Sequence, residues 1–540
     1  MKKFLIYGIL QCSIYIIKEG VLIMKSFLLH IRTYIIISLF LFLSEITATS
    51  IILLFPGLLI DSFINNKLSL INMIILYIAT FSIYLLITYI SNRVADYRRI
   101  KFEKKIKQDF FESIMRKSFL KFYEYDLGEY ISMQSNDITQ MCQNYLSPLL
   151  AIFRSIIMII IFGISLIIFT DTIIAMVIIV FSFFVVFVPK ITEHSLSRKN
   201  EVYTRALGKY TSSVQKYFVS HDILDKKGIE KINIVHREKL DNLMDKNMDF
   251  RKVNSLALVI NGGVVEFISI VTFIVVGYLL YNSNITIGMA TIAFTYSTKF
   301  MEPIFELNLN IGRVKSVKKI KEKLISILKT ENKSYKTIKK LEKIYFNNLK
   351  ITLNDNMLVY DELKLDFPKK YLITGENGSG KSVLAKLIMG FLVANEGKIL
   401  YNDFNSINIS EHINYVPQVP VIFEGSYMDN ITIYGTYSDK NLELYESCFP
   451  PQVIKNIKSN ENLENLSSGE KQIIAIIRAF CSEKEFIILD EALSVMNQIT
   501  IEKFMETIFD LNKSIVIIAH NVDEYKDRFY KTYKVIRKEI

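Results

Sequence analysis

Eight consecutive residues, Gly375, Glu376, Asn377, Gly378, Ser379, Gly380, Lys381 and Ser382, constrain this chain more than any others. A short apolar run at 371–374 precedes them and an apolar-periodic stretch at 383–390 succeeds them, so the expected context is strand, loop, helix. Glycines at these positions let successive backbone N–H groups turn inward around a phosphate chain. The lysine then reaches the β/γ oxygens, and the Ser382 hydroxyl can sit on Mg²⁺. A loop of this kind in this context implies an ATP site carried by an α/β domain.

Phosphate loops occur in kinases, GTPases, helicases and transporters alike, so the class is decided by segments farther along the chain. Leu466-Ser467-Ser468-Gly469-Glu470-Lys471-Gln472 stands before an apolar helical stretch, and the strand-like run at 486–489 is closed by Asp490-Glu491. Tyr415-Val416-Pro417-Gln418 lies between the phosphate loop and the first of these motifs, and His520 comes after a further strand-like run at 514–519. In this order the segments resemble the Walker A, Q-loop, signature, Walker B and switch histidine of ATP-binding-cassette (ABC) proteins. The resemblance implies that Asp490, with Ser382 and Gln418, holds Mg²⁺ and that Glu491 polarises the attacking water. It also implies that His520 contacts the γ-phosphate, and that Ser467 and the Gly469 amide complete the site from an opposite subunit. Catalysis would then rest on positioning and charge.

Three departures from the family pattern stand out. Ser468 and Glu470 replace a second Gly and a Gln in the signature. Asn497 in Ser494-Val495-Met496-Asn497 stands where an Asp is expected in the D-loop. No aromatic occupies the adenine-stacking position near Leu353, with Tyr345 and Tyr360 as the available substitutes.

Half of the residues, 51%, are hydrophobic, and they concentrate before residue 310. A spanning helix needs about 20 apolar residues, and candidates lie at 34–60, 69–90, 149–170, 172–188, 256–281 and 285–300. Between them, 93–143 carries ten basic residues and 190–252 is similarly basic, which places both segments on the cytoplasmic side. The net charge of +11 is thereby explained by membrane topology, and no nucleic-acid partner is expected. The basic segments repeat apolar residues at helical spacing, through Phe110, Ile114, Phe119 and Phe122, and so read as membrane helices running on into the cytoplasm. The run 122–131 resembles the turn of the first intracellular loop of type I ABC exporters, where a coupling helix docks on the ATPase domain.

Glu45 and Glu266 each fall about twelve residues into a span, near the bilayer midplane. Carboxylates there are costly unless they face a wet cavity or a partner. One reading has both lining a cargo cavity that favours cationic or amphipathic molecules. The other has them pairing with Asn261, Lys299 or another polar group for packing.

The expected fold class is a membrane α-helical six-span domain succeeded by a cytoplasmic α/β P-loop ATPase domain. The divisions are 1–30, an apolar segment read as an interfacial helix or as preceding a later start at Met24; 31–312, the transmembrane domain; 313–342, a linker helix; and 343–540, the cassette. Nothing resembling a cysteine peptidase precedes the spans, so the chain is not expected to cleave leader peptides. Cys12, Cys142, Cys448 and Cys481 show neither metal spacing nor a pairing pattern. Taken with the resemblance, these features imply a multi-pass half-transporter of a bacterial cytoplasmic membrane, in contact with lipid and working with a second half-transporter subunit, identical or different. The expected cargo is a small peptide of the bacteriocin or signalling type. The alternatives are a multidrug or lipid exporter, or a sensor or immunity subunit with little transport.

Overall fold

The computed structural model describes residues 27–65, 70–117, 119–185, 188–328, 338–353, 356–360, 362–376, 378–405, 407–519 and 523–535. The expectations for residues 1–26, and for Asn377 and His520, lie outside the described residues. The chain divides into two compact units, Met1–Arg116 with Asp126–Lys329, and Lys117–Tyr125 with Thr330–Ile540.

The first unit is helical. Its elements are α1 (Arg32–Asn65), α2 (Leu70–Met115), α3 (Ser147–Phe169), α4 (Thr172–Val185), α5 (Val188–Val219), α6 (Lys226–Tyr281), α7 (Ile287–Ser316) and α8 (Lys318–Leu328). The expected spans fall on α1 to α4, α6 and α7. Among the described residues, four stretches are long and apolar enough to cross a membrane: α1, α2, the run ending in α3, and α6. α4 is a shorter apolar helix, and α7 carries Lys299, Glu302 and Glu306. α2 has 46 residues and α6 has 56, well beyond the roughly 20 that a bilayer requires, because their basic halves keep helical periodicity after the apolar run ends. Between α2 and α3 the chain passes through two π-helical turns, Met133–Asp137 and Cys142–Leu146.

Polar side chains tie these helices where apolar packing gives no direction. Ser50 of α1 shares hydrogen bonds of 2.8 Å with Ser165 of α3 and with the Tyr296 hydroxyl of α7, all buried. Asp61, near the end of α1, caps the start of α7: Thr286 donates its hydroxyl to Oδ2 at 2.6 Å and the Gly288 N–H donates to Oδ1 at 2.8 Å. Gly57 and Gly288 permit that approach, since a β-carbon on Gly57 would overlap the Gly288 carbonyl and one on Gly288 would overlap the Asp61 carboxylate.

The second unit holds two sheets. The strands are β1 (Lys343–Leu353), β2 (Asn356–Tyr360), β3 (Leu363–Asp366), β4 (Lys370–Thr374), β5 (Glu396–Tyr401), β6 (Ile413–Val416), β7 (Phe486–Asp490), β8 (Ser514–Ile518) and β9 (Lys531–Lys534). β1 pairs antiparallel with β2, β3 and β5. The other sheet is parallel in the order β6-β7-β8-β4-β9. Two helices flank the site on this unit, α9 (Lys381–Ile388) and α10 (Ser468–Cys481). Parallel strands covered on both faces read as near-continuous apolar runs, and β7 and β8 are buried throughout. Alternate residues feed two separate cores. Phe486 and Ile488 of β7 join a core with α9 and the antiparallel sheet, whereas Ile487 and Leu489 join one with α10.

Candidate active site

The carboxyl ends of β4, β6 and β7 point the same way because these strands share one parallel sheet, and the site is built from the loops leaving those ends. From β4 the loop Gly375–Gly380 leads into α9. Gly380 has φ of +100°, and a β-carbon there would press on the Tyr360 hydroxyl and Leu358, so glycine is required on both grounds. The Tyr360 hydroxyl donates to the Gly380 carbonyl at 2.7 Å. Tyr360 is therefore a buttress beneath the loop, and of the two candidate adenine platforms Tyr345, half-buried on β1, is the one whose side chain is not committed to the phosphate loop.

Lys381 is 4% exposed and donates to the carbonyls of Gly375 at 3.0 Å and Glu376 at 2.9 Å. Burial pulls its ammonium below the ordinary lysine value, while Glu491 and Asp490 act in the opposite direction. Ser379 is buried, and its hydroxyl has no hydrogen-bond partner among the described residues, which leaves a polar group inside the cradle suited to a phosphate oxygen.

Asp490 ends β7 and is 3% exposed. Its Oδ1 accepts from the Ser382 hydroxyl at 3.0 Å and its Oδ2 from the Tyr415 hydroxyl at 2.7 Å. A hydroxyl and a carboxylate this close are hard oxygen donors of the kind Mg²⁺ takes alongside substrate phosphates. Among the described residues no group of three or more His, Cys, Asp or Glu forms a cage able to hold a metal without substrate.

Glu491 has a left-handed backbone, φ of +52°, which is uncommon for a residue with a side chain. It is held there by its N–H on the Ile518 carbonyl at 2.9 Å and by its own carbonyl, which accepts the Ser494 hydroxyl at 2.7 Å. Its Oε2 accepts from Gln418 Nε2 at 2.8 Å, so the Q-loop and Walker B candidates meet.

The signature segment is organised by its cap. Ser467 starts α10 with a reciprocal capping box. Its hydroxyl accepts from the Glu470 N–H, and the Glu470 carboxylate accepts from the Ser467 N–H at 3.0 Å and hydroxyl at 2.7 Å. Glutamate at 470 is thus a satisfied capping residue. Gly469 sits where a β-carbon would press on the Val495 carbonyl. Asn497 caps α11 (Gln498–Thr507) through its side-chain oxygen, 2.9 Å from the Thr500 N–H, a task Asn and Asp perform alike.

Two links that the sequence does not announce hold the Q-loop region to α10. Gln472, fully buried, donates to the Pro417 carbonyl at 2.9 Å. Arg478 donates to the carbonyls of Asn430 at 2.6 Å and Val421 at 2.8 Å, and to the Asn430 side chain at 3.0 Å. Tyr415 likewise carries no signal in the sequence, because a tyrosine in an apolar strand reads as core.

The membrane carboxylates are partnered differently. Glu45 is buried and ion-paired to Arg154 of α3, Glu266 is exposed on α6, and Lys299 pairs with Glu302.

Residues 34–304, half of the chain, match the ABC transporter transmembrane region, and residues 360–494 match the ABC transporter family. Among curated proteins, a lactococcin-G-processing and transport ATP-binding protein of Lactococcus lactis subsp. lactis is 32% identical over 199 residues, covering 34% of this chain and 28% of that one. The chain thus spans under a third of that relative's length. A multidrug resistance-like ATP-binding protein of Buchnera aphidicola subsp. Acyrthosiphon pisum is similar over most of its length, 23% identical over 86% of this chain and 85% of that one. Among solved structures, a bacterial Atm1-family ABC exporter with ATP bound has the same fold, with a TM-score of 0.75 over 92% of each chain at 15% identity. A phosphate loop, a hydroxyl–carboxylate pair and a Gln–Glu pair at the strand ends, in a chain that also carries long apolar helices, therefore have one family explanation: this chain belongs to the ABC transporters, with a transmembrane region and an ABC ATPase domain on one chain.

Proposed function

We propose that the chain exports a small peptide, of the bacteriocin or signalling type, across a bacterial cytoplasmic membrane, working as one half of a dimer. The observation that supports the cargo assignment is the 32% identity, over 199 residues, to a lactococcin-G-processing and transport ATP-binding protein; the multidrug-like relative shares 23% over 501 residues. Because the second similarity covers nearly the whole chain, a drug or lipid exporter is the alternative reading.

In this reading Lys381 and the loop N–H groups bind the ATP phosphates, and Ser382 and Asp490 hold Mg²⁺ with Gln418 nearby. Mg²⁺ supplies positive charge where the β- and γ-phosphate oxygens gather negative charge. Glu491 takes the proton of the attacking water, and the Gln418 hydrogen bond fixes its carboxylate for that task. His520 is assigned to the γ-phosphate. Ser467 and the Gly469 N–H complete the site on the opposite subunit, which makes a second subunit, identical or different, necessary. Closure of two ATP-loaded domains then shifts the helical domains between two states.

The test is ATPase activity of the full chain in lipid nanodiscs, for wild type and Glu491→Gln, with and without a mixture of bacteriocin-type peptides. Turnover that needs Glu491 and rises with peptide supports peptide export by a homodimer. Stimulation by lipid or hydrophobic drugs but not by peptide would favour the alternative cargo. Absent turnover in folded wild type would favour a missing partner subunit, or a sensor or immunity role.

A further inference from the structure

The Asp490 carboxylate has a separate hydroxyl donor on each oxygen, Ser382 on Oδ1 and Tyr415 on Oδ2. The two donors differ in origin. Ser382 belongs to the phosphate loop and is a metal ligand under the proposed function, on which this inference rests. Tyr415 belongs to β6, which runs parallel beside β7 in a register that sets Tyr415 against Ile488, two residues before Asp490. The phenol thus reaches along the sheet to the acid from the neighbouring strand, while its ring packs edge-on to Phe391 at 5.7 Å.

We propose that Tyr415 is a positioning residue for the metal carboxylate, fixing the Asp490 rotamer by holding Oδ2 while Oδ1 stays beside the Ser382 hydroxyl. Tyr415 is half-buried, and a tyrosine hydroxyl removed in part from water usually finds a partner; here the partner is the acid whose orientation matters most. With Oδ2 engaged by a donor from the neighbouring strand, the carboxylate would keep its rotamer whether or not the Ser382 hydroxyl remained on Oδ1. Hydrogen bonds to a metal ligand from outside the coordination shell typically govern affinity by tenfold or more.

The experiment uses the full-length protein carrying Glu491→Gln to prevent turnover. Mn²⁺ replaces Mg²⁺, and binding in the presence of ATP is monitored by electron paramagnetic resonance. Tyr415→Phe removes one oxygen atom and keeps the ring. Its Mn²⁺ dissociation constant is expected to rise by about tenfold, with an unchanged Tm and unchanged binding of a fluorescent ATP analogue in EDTA. Phe391→Leu, which loosens the ring contact and keeps the hydroxyl, is expected to leave Mn²⁺ affinity as it is. Wild-type Mn²⁺ affinity in Tyr415→Phe overturns the proposal. So does equal weakening in Phe391→Leu, or joint loss of fold and metal-free nucleotide binding in Tyr415→Phe, since each assigns the tyrosine to packing. Asp490→Asn separates this inference from its premise: if that variant also binds Mn²⁺ normally, the assignment of Asp490 as the metal carboxylate fails.

Discussion

Glu45 of α1 and Arg154 of α3 form an ion pair within the helical unit, 2.8 Å from Oε1 to Nη2, with Glu45 only 4% exposed. Arg154 also lies over the Phe42 ring at 5.7 Å. The pair ties α1 to α3 and gives Glu45 the partner that a carboxylate in an apolar helix requires.

Breaking such a pair on one side leaves a charge without compensation and costs about 3–5 kcal/mol, whereas removing both partners costs far less. Glu45→Gln is therefore expected to lower the thermal unfolding midpoint in detergent, and Glu45→Gln with Arg154→Met to recover most of the loss. A Glu45→Gln protein of full stability with altered cargo stimulation would instead return the residue to the cargo path.

Glu491 and Gln418 form the other decisive pair. Glu491→Gln should reduce turnover by about 10²–10⁴-fold, the usual worth of a general base, while retaining ATP binding. Gln418→Ala should reduce kcat by a smaller factor, because the base is then present but no longer aimed. Steady-state ATPase assays beside nucleotide-binding titrations distinguish the two.

Arg478 is held by three acceptors and lies over the Phe423 ring at 4.7 Å. Burial lowers its guanidinium to about 10, so at neutral pH it stays charged. Replacing it with Met strands the carbonyls of Val421 and Asn430, at a cost of about 3 kcal/mol. Arg478→Lys should not rescue, because one ammonium cannot reach the same forked set of acceptors. Thermal unfolding of the three proteins tests both statements.

Cys448 and Cys481 are buried free thiols, and burial pushes Cys481 up to about 12. Neither should react with iodoacetamide at pH 8 in the native protein, and both should react in denaturant. Because the folded value lies above the unfolded one, the unfolded state sheds the thiol proton first as pH rises. The Cys481 contribution to stability is therefore complete below about pH 8.5, the ordinary thiol value, and is lost as pH rises toward the folded value of about 12. Cys481→Ala should flatten the fall of Tm over that interval.

The candidate nucleotide site is legible in the sequence because phosphate chemistry fixes residue types within two short motifs, one on the loop after β4 and one at the end of β7. Lys381, Ser382, Asp490 and Glu491 announce themselves before any folding is known. The long helices are also legible, since the basic halves of α2 and α6 keep the apolar periodicity of the spans they extend. Pairings across the chain are not. Arg154 lies 109 residues from Glu45, and nothing local marks it as the partner. Tyr360 looks like a platform for a base because aromatic character is visible in sequence, whereas the direction of its hydroxyl toward Gly380 is not. Tyr415 is hidden for the converse reason, as its strand is apolar and only the register of β6 on β7 turns a core residue into a donor.

The contact between Gly57 and Gly288, locked by Asp61 across the start of α7, restricts how this molecule can change shape. Sliding or splaying of α1 against α7 would break both hydrogen bonds of the Asp61 cap, which ties the two helices together at that end. Any gate that opens there must be cut along some other seam of the bundle.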